Sequence, residues 1–347
     1  MPSRAGPQCK IGLMKKIMVL GGTGFVGAHV CEKLVREGWR VTVATRRRVN
    51  ARHLLHLPLL TVLECNVHDE AALAAALAGH DAVINLVAIL HGSQAAFDQV
   101  HVALPQKLAR ASRSARVRQV VHLSALGADA LQPQMAPSMY LRSKGHGEAA
   151  LMQAAASGAE APFALTILRP SVIFGAEDKL LNLFAGLQKI APFVPLAGAN
   201  AQFQPVWVED VARAVVSCLA RRLGMSAEQT PQVLELCGPE IFTLKQLVQL
   251  AGQLSGVREG RGRPVFGLPN WLGHLQAALM GLTPGEPLMS RDNLDSMRQP
   301  NVASGRLPGL ASLGITPAAL RPVAQAYLTQ NQPGQGLLGL RERASGR

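Results

Sequence analysis

The chain has 347 residues, of which 48% are hydrophobic and 16% are charged, a balance typical of a globular protein rather than a disordered one. No stretch reaches the roughly 18 to 20 consecutive apolar residues that a membrane-spanning helix needs. The net charge of +13 favours anionic partners such as phosphates, acidic proteins or an anionic membrane surface. Aromatic residues make up only 4% of the chain and are not interleaved with basic ones, which argues against nucleic acid as a binding partner.

The cysteines and the amino-terminal residues indicate the expected location. Five cysteines stand far apart without a CxxC pair, which argues against a disulfide framework or a zinc site and for a reducing compartment. We therefore expect a cytoplasmic protein, and the basic charge extends this to peripheral contact with the inner face of the cytoplasmic membrane. Residues 1–13 lack a clean apolar core before a cleavage site, so we interpret them as a flexible extension rather than a signal peptide, with Met14 as an alternative start.

Short apolar runs alternate with longer helical patterns over residues 14–170, the predicted amino-terminal domain. The predicted strands are Lys16–Leu20, Arg40–Ala44, Thr61–Glu64, Ala82–Val87, Gln119–Ser124 and Phe163–Leu168. The first predicted helix begins at Phe25 and ends at Gly38. The other predicted helices are Glu70–Leu77, Phe97–Ala115 and Ser138–Ala156. Strands that alternate with helices pair in parallel through right-handed crossovers, so we predict an α/β fold with a Rossmann-type doubly wound parallel sheet.

The alternation loosens after Pro170, where proline and glycine become frequent. Residues 171–331 are predicted to form a smaller C-terminal lobe built from discontinuous segments, with residues 203–221 and 231–254 packing back on the Rossmann core. The elements predicted here are the helices Glu209–Ala220 and Leu244–Leu254, the strand Val233–Cys237, and only short helices from Gly262 onward. We expect residues 332–347 to be a mobile tail.

A glycine-rich segment with GxxGxxG spacing lies between the first predicted strand and the first predicted helix. Its glycines match the needs of a dinucleotide-binding turn: Gly21 permits a tight reversal, Gly24 lets the backbone approach a pyrophosphate, and Gly27 lets the helix lie against the strand. The helix start then offers free amide groups and a positive dipole end to the phosphates. We therefore interpret residues 14–170 as an NAD(P)-binding Rossmann domain. The predicted cofactor contacts of this turn are Gly21, Thr23, Gly24, Phe25, Val26 and Gly27.

The second predicted strand ends in Thr45-Arg46-Arg47-Arg48, with no carboxylate of the kind that NAD-preferring sites place there for the ribose hydroxyls. Guanidinium groups suit a 2′-phosphate, because they form bidentate charge-assisted hydrogen bonds. We therefore predict NADP(H) as the preferred cofactor, with NAD(H) possible, and assign the phosphate to Arg46 and cover of the adenine to Arg47. The alternative is that these arginines form a solvated charge run.

Five further motifs follow in a fixed order. They are Cys65-Asn66-Val67-His68-Asp69, Asn85-Leu86-Val87-Ala88, Tyr140-Leu141-Arg142-Ser143-Lys144, Arg169-Pro170-Ser171-Val172-Ile173-Phe174-Gly175 and Val206-Trp207-Val208-Glu209-Asp210-Val211-Ala212. Together with the glycine turn they resemble the extended and atypical short-chain dehydrogenase/reductase superfamily (NAD-dependent epimerase/dehydratase-like) over roughly residues 16–254. Within it, the chain is most similar to the branch of the NADPH-binding Rossmann accessory subunit of respiratory complex I and its bacterial relatives.

The resemblance assigns further cofactor contacts. It implies that Asn66 and Val67 lie against the adenine, with Asn66 replacing the usual aspartate, and that Leu86, Val87 and Ala88 flank the cofactor. It also implies that Pro170 and Val172 lie beside the nicotinamide and that Lys144 holds the nicotinamide ribose.

Tyr140 and Lys144 are four residues apart, which places both on one face of a helix. An ammonium group near a phenol favours the phenolate, so we predict a lowered pKa for Tyr140, which would exchange a proton with a substrate while hydride moves to or from the nicotinamide. The supporting hydroxyl is less well matched. Ser124 ends the preceding strand, but the family's catalytic hydroxyl sits a residue or two later, where this chain has Ala125 and Leu126.

These observations leave two functions open. One is an NADP(H)-dependent oxidoreductase or epimerase-like enzyme that uses Tyr140 and Lys144 on an unknown small-molecule substrate, with Ser124 either polarising a carbonyl or capping the strand. The other is a non-catalytic accessory or assembly protein of respiratory complex I or ubiquinone metabolism, in which NADPH is a structural ligand and respiratory-chain or quinone-biosynthesis proteins are the partners. We predict no metal site.

Overall fold

The computed structural model describes residues 15–156, 163–224, 231–269 and 290–329. The predicted extension over residues 1–13 and the predicted mobile tail over residues 332–347 lie outside the described residues. Within the described ranges no helix is both long and apolar enough to span a membrane.

The secondary structure follows the predicted alternation of strands and helices. The strands are β1 (Lys16–Leu20), β2 (Arg40–Thr45), β3 (Leu60–Glu64), β4 (Ala82–Asn85), β5 (Gln119–Leu123), β6 (Ala164–Pro170), β7 (Ile173–Phe174), β8 (Val194–Leu196), β9 (Gln202–Phe203), β10 (Val206–Trp207), β11 (Gln232–Leu236), β12 (Phe242–Thr243) and β13 (Val265–Gly267). The helices are α1 (Phe25–Arg36), α2 (Glu70–Leu77), α3 (Gln94–Phe97), α4 (Leu104–Ser114), α5 (Met139–Ala156), α6 (Leu180–Ile190), α7 (Val208–Gly224), α8 (Leu244–Leu254), α9 (Arg291–Ser296) and α10 (Leu320–Leu328).

Seven parallel strands form the central sheet in the order β11-β6-β5-β4-β1-β2-β3. All four residues of β4 are buried, as expected for a strand covered on both faces. One face packs against α1 and α7 through apolar side chains such as Ile17, Val30 and Val215. The other face packs against α2, α4 and α5 through side chains such as Met18 and Leu108. The predicted α/β fold with a doubly wound Rossmann-type sheet is confirmed.

The chain reverses direction across the sheet between β1 and β4, because β2 and β3 extend the sheet to one side of β1 while β4, β5 and β6 extend it to the other. In doubly wound sheets a crevice opens at such a switch point, beyond the carboxyl ends of the strands. The glycine turn follows β1 directly, and the segment Leu86–Ala88 follows β4. The topology therefore brings two predicted cofactor segments to one crevice.

Residues after β6 contribute to the sheet and to a second core. β11 pairs with β6 at the edge of the sheet, and α7 packs against α1, where Glu209 pairs with both His29 and Lys33. The second core joins α6, α8, α10, β8 and β13 through side chains such as Phe184 and Leu247.

The structure differs from the sequence predictions at several elements. The strand predicted over Ala82–Val87 ends at Asn85, and the helix predicted over Phe97–Ala115 begins at Gln94, where Ser93 accepts a hydrogen bond from the Ala96 amide at 3.3 Å. That helix also contains a π-helical turn over Asp98–Ala103. Helix α6 was not predicted at all.

Candidate dinucleotide site

The glycine turn has the backbone geometry that its spacing predicts. Gly21 adopts a φ of +79°, a region that favours glycine, and an added Cβ would lie 3.0 Å from the carbonyl carbon of Leu86. A Cβ on Gly27 would overlap the Gly21 carbonyl oxygen and lie 2.6 Å from Gly22 Cα. Because α1 approaches the turn this closely, only a residue without a side chain fits at position 27.

The start of α1 is suited to an anion. Its N-cap is Gly24, which has no side chain to bond the first amides, and its first turn has no acidic residue. The Gly24 amide itself donates to the Gly21 carbonyl at 3.1 Å. The first amides of a helix lack carbonyl partners within the helix, so those of Phe25, Val26 and Gly27 point toward any group seated at the turn. A pyrophosphate fits this cradle in charge and in shape.

A pocket of about 500 Å³ opens beyond the carboxyl ends of β2 and β3. It is lined by Arg46, Glu64, Cys65, Asn66, His68 and Gln99. A second pocket adjoins it and is lined by Arg46, Arg47 and Asn50, so Arg46 borders both. The structure therefore places Arg46, Arg47 and Asn66 in two adjoining pockets.

The electrostatics of this pocket are basic. Burial, together with the positive charges of Lys107 and Arg46, lowers the pKa of His68. The Lys107 ammonium donates to the His68 carbonyl oxygen at 2.5 Å. Glu64 is the one carboxylate among the lining residues, and it lies at the end of β3, not at the end of β2.

Asn66 and Val67 belong to a rigid turn. The Asn66 side-chain oxygen accepts a hydrogen bond from the His68 amide at 3.1 Å, and Asp69 caps α2 by accepting from the amides of Ala71 and Ala72 at 2.9 and 3.1 Å. Val67 is buried in the core beneath α2 and α4. Asn66 is exposed at the pocket, whereas the Val67 side chain faces away from solvent.

The segment after β4 lies against the glycine turn. Asn85 is fully buried, and its side-chain oxygen accepts from the Val87 amide at 3.2 Å, which turns the chain at Leu86. A Cβ added to Gly21 would meet the backbone of Leu86 and Val87, so the segment Leu86–Ala88 borders the crevice from the β4 side.

Tyr140 and Lys144 lie on one side of α5, as predicted, with Lys144 Nζ 6.0 Å from the centre of the Tyr140 ring. Lys144 is 2% exposed, and its ammonium donates to the Leu123 carbonyl oxygen at the end of β5 at 3.0 Å. Burial lowers the pKa of Lys144 to about 8, with Glu148 opposing the shift. The half-buried Tyr140 ring contacts Phe97 and His101 edge-on.

The predicted lowering of the Tyr140 pKa is wrong for this structure. Burial raises the pKa of Tyr140 to about 12, because the phenolate would lose its hydration. Lys144 does not reverse the shift; its ammonium bonds the Leu123 carbonyl and lies 6.0 Å from the centre of the Tyr140 ring. Tyr140 is therefore a neutral phenol at physiological pH.

The comparison with protein families decides the assignment. The model of the NAD dependent epimerase/dehydratase family matches residues 17–229. The chain belongs to this family. The resemblance predicted from the motifs is thereby confirmed, as is the coarser cofactor prediction of a nicotinamide dinucleotide.

Relatives of this epimerase-family protein include respiratory subunits. Subunit 9 of the NADH dehydrogenase (ubiquinone) 1 alpha subcomplex from mouse mitochondria is 31% identical over 312 residues, which cover 87% of this chain and 76% of that protein. The 40 kDa subunit of mitochondrial NADH-ubiquinone oxidoreductase from Neurospora crassa is 24% identical, and the matched residues cover 89% of this chain and 78% of that protein. The fold matches the solved structure of a dTDP-glucose 4,6-dehydratase from Streptomyces venezuelae with a TM-score of 0.62, 22% identity, and coverage of 75% of this chain and 86% of that one.

In this epimerase-family protein the Ser124 hydroxyl is buried, and its surroundings do not identify it as a catalytic group. Its side chain is 4% exposed, and its Oγ has no hydrogen-bond partner in the described part of the chain. Its backbone amide donates to the Leu168 carbonyl at 2.7 Å, which ties the end of β5 to β6. The next two residues, Ala125 and Leu126, are buried and apolar.

Pro170 and Val172 are anchored by a residue that sequence reasoning missed. The Asn301 side-chain oxygen accepts from the Ser171 hydroxyl at 2.5 Å and from the Val172 amide at 3.2 Å. The Pro170 carbonyl accepts from the Leu126 amide at 2.9 Å. The segment predicted beside the nicotinamide is thus fixed between β5 and the carboxyl-terminal part of the chain.

His101 is a second missed residue, carried by the π-helical turn. Its Nε2 accepts from the Ile89 amide at 3.2 Å, so its Nδ1 carries the proton and donates to the Ser143 hydroxyl at 2.9 Å. Ser143 in turn donates to the Tyr140 carbonyl at 2.8 Å. Burial, aided by the charge of Lys144, lowers the pKa of His101 to about 2, so this imidazole stays neutral beside the Tyr140 ring. A single histidine inside a helical pattern gave no signal for this role.

Proposed function

We propose that this protein binds NADP(H) in the crevice between β1 and β4. The pyrophosphate would lie on the amides that open α1, the 2′-phosphate at Arg46, and the adenine between Arg47 and Asn66. One observation carries the preference for NADP(H): Arg46, at the end of β2, lines both pockets, and no carboxylate stands at the end of that strand. Guanidinium groups favour the dianionic phosphate over a ribose hydroxyl.

Residues on α5 and after β6 would hold the nicotinamide half of the cofactor. When bound, the dinucleotide supplies hydride-transfer chemistry. Lys144, whose ammonium bonds the Leu123 carbonyl, would hold the ribose, and the segment Pro170–Val172, fixed by Asn301, would border the ring. Tyr140 contributes a neutral hydroxyl next to a neutral imidazole.

The dinucleotide serves mainly as a structural ligand, and the protein acts as an accessory subunit or assembly factor of a quinone-reducing respiratory dehydrogenase. Two observations support this role. The positions expected to supply a catalytic hydroxyl hold the buried Ala125 and Leu126. The respiratory subunits among its relatives, such as the mouse subunit at 31% identity, support the partner class. A ligand whose free concentration is 100 times its Kd stabilises a fold by about 2.7 kcal/mol without any turnover.

Identification of the retained nucleotide tests the proposal. The protein, purified without added cofactor, is examined by native mass spectrometry, and tagged protein is recovered from native membranes with its partners. We expect bound NADP(H) and components of a respiratory or quinone-synthesis complex. Retention of NAD(H) alone would overturn the role of Arg46, and recovery of no such component would overturn the accessory role.

An oxidoreductase is the second candidate, favoured by the position of Lys144 Nζ 6.0 Å from the centre of the Tyr140 ring. A neutral phenol is the protonation state needed to donate a proton to a carbonyl that accepts hydride. If this function holds, NADPH-dependent reduction of a carbonyl substrate is lost in Tyr140→Phe and kept in Tyr327→Phe, a matched change in the C-terminal lobe. Equal rates in both variants would remove Tyr140 from the mechanism.

The proposed location is the cytoplasm, with contact at the inner face of the cytoplasmic membrane. The net charge of +13 supports this location, because the anionic lipids of that face attract basic proteins.

A further inference from the structure

Three large apolar side chains are exposed at one tip of the C-terminal lobe. Ile190, at the end of α6, is 86% exposed, Phe193 is 53% exposed just before β8, and Phe266, in β13, is 57% exposed. The two phenyl rings meet edge-on, with their centres 6.3 Å apart. We call these three residues the lobe patch.

The backbone beneath the lobe patch is rigid. β8 and β13 pair in parallel, with Val194 opposite Val265, and both of these residues are buried in the lobe core. Gln188 fastens the end of α6 to the neighbouring loop, because its side chain accepts from the Arg263 amide at 2.6 Å and donates to the Val248 carbonyl at 3.2 Å. The apolar side chains are therefore displayed on a fixed surface.

Exposed basic residues lie at the end of α6 and on the loop that is bonded to it. Lys189 precedes Ile190 and is exposed, and Arg258 and Arg261 are exposed on the loop over residues 256–263 that Gln188 holds beside α6. This loop has three arginines against one glutamate, Glu259.

Exposed apolar side chains on a lobe that also carries exposed cations match the interface of an anionic bilayer. Phenyl and aliphatic groups enter the boundary between headgroups and acyl chains, while lysine and arginine side chains reach the lipid phosphates. Three side chains are a small area for a stable protein–protein interface, which usually buries more than about 1,000 Å². We infer that the lobe patch docks this protein on an anionic phospholipid surface. This inference rests on the membrane contact proposed above, for which it names the surface, and it does not depend on dinucleotide binding.

Vesicle flotation with the full chain tests the inference. One set of vesicles contains phosphatidylcholine alone, and the other has part of it replaced by phosphatidylglycerol. We expect binding to the anionic set that weakens with added salt. The double variant Phe193→Ser/Phe266→Ser should lower the partition coefficient roughly tenfold, because two phenyl groups no longer enter the boundary region. Its control, Val49→Ser/Leu55→Ser, removes side chains that are 48% and 54% exposed on the Rossmann domain and should bind as the wild type does.

A second pair of variants tests the charge requirement. Arg258→Gln/Arg261→Gln should weaken binding to anionic vesicles, whereas Arg116→Gln/Arg306→Gln, which removes the same charge from exposed sites elsewhere, should have a smaller effect. All variants are checked for thermal unfolding and for nucleotide retention. Loss of dinucleotide binding, which would contradict the proposed function, is thereby distinguished from loss of membrane binding.

Three results would overturn the inference. They are equal binding to neutral and anionic vesicles, unchanged binding of the double phenylalanine variant, and light scattering that shows a dimer abolished by that variant. The last result would make the lobe patch an interface between two copies of this chain.

Discussion

Asp292 of the C-terminal lobe caps the helix that carries Tyr140. One carboxylate oxygen accepts from the Tyr140 amide at 3.1 Å, and the other accepts from the Met139 amide at 2.6 Å. Ser138 accepts from the third amide, that of Leu141, at 3.2 Å. A negative charge at a helix N-terminus also interacts favourably with the helix dipole. The position of the candidate catalytic helix therefore depends on a residue more than 150 positions away in the chain.

Replacement of Asp292 should destabilise the protein. We expect Asp292→Ala to lower the free energy of unfolding by about 2 kcal/mol, because two helix amides lose a charged acceptor. Asp292→Asn, which keeps one acceptor oxygen, should have a smaller effect. Asp295→Ala in the same short helix is the control, since its 3.4 Å ion pair with the exposed Arg298 contributes about 0–1 kcal/mol. Urea unfolding measures all three, and equal effects for Asp292→Ala and Asp295→Ala would contradict the capping role.

The glycine turn gives a second prediction. Gly27→Ala should lower the free energy of unfolding by about 1–3 kcal/mol and weaken dinucleotide binding, because the new methyl group overlaps the Gly21 carbonyl and forces the turn to shift. Gly186→Ala is the matched control, since Gly186 lies within α6 and an added Cβ there meets nothing within 4 Å. That change should stabilise the protein by about 0.5–1 kcal/mol through helix propensity. Thermal unfolding with and without NADPH separates the two outcomes, and a stable Gly27→Ala protein with full binding would contradict the packing argument.

The sequence predicted the parts of the fold that are determined by residues close together in the chain. Apolar runs of strand length predicted the strands of the Rossmann half, and the spacing of Gly21, Gly24 and Gly27 predicted the turn between β1 and α1. Each of these signals depends on neighbouring residues only. The family assignment followed from such local motifs in order, and it is confirmed.

The sequence did not predict features that depend on distant contacts or on depth of burial. Asp292 and Asn301 reach the site only after the lobe has folded back, so no local pattern marks them. Helical spacing placed Tyr140 and Lys144 on one face but carried no information on their burial, and the predicted pKa shift of Tyr140 therefore had the wrong sign. Helix α6 was missed because the prolines that follow it suggested an irregular segment.

Cofactor preference gives a third prediction. Arg46→Ala should weaken NADPH binding roughly 10- to 100-fold and leave NADH binding nearly unchanged, because the lost hydrogen bonds go to the 2′-phosphate alone. Arg48→Ala, in the same basic run but outside the lining of either pocket, is the control and should bind both nucleotides as the wild type does. Isothermal titration calorimetry measures both affinities. Equal losses of NADPH and NADH affinity in Arg46→Ala would show that Arg46 does not distinguish the two.

The two tyrosines give the last prediction, because the chain has no others. Burial raises the pKa of Tyr140 to about 12, and burial together with Asp178, whose carboxylate accepts a hydrogen bond from the Tyr327 hydroxyl at 2.7 Å, raises that of Tyr327. Both folded-state pKa values exceed the unfolded value of about 10, so the native state should lose stability as pH rises through about 10 toward 12. Ultraviolet absorbance should therefore show no tyrosinate in native protein at about pH 10, and ionisation near that pH once the protein is unfolded. In Tyr327→Phe only Tyr140 titrates, and a native phenolate at or below its ordinary pKa would show that Lys144 does activate this hydroxyl.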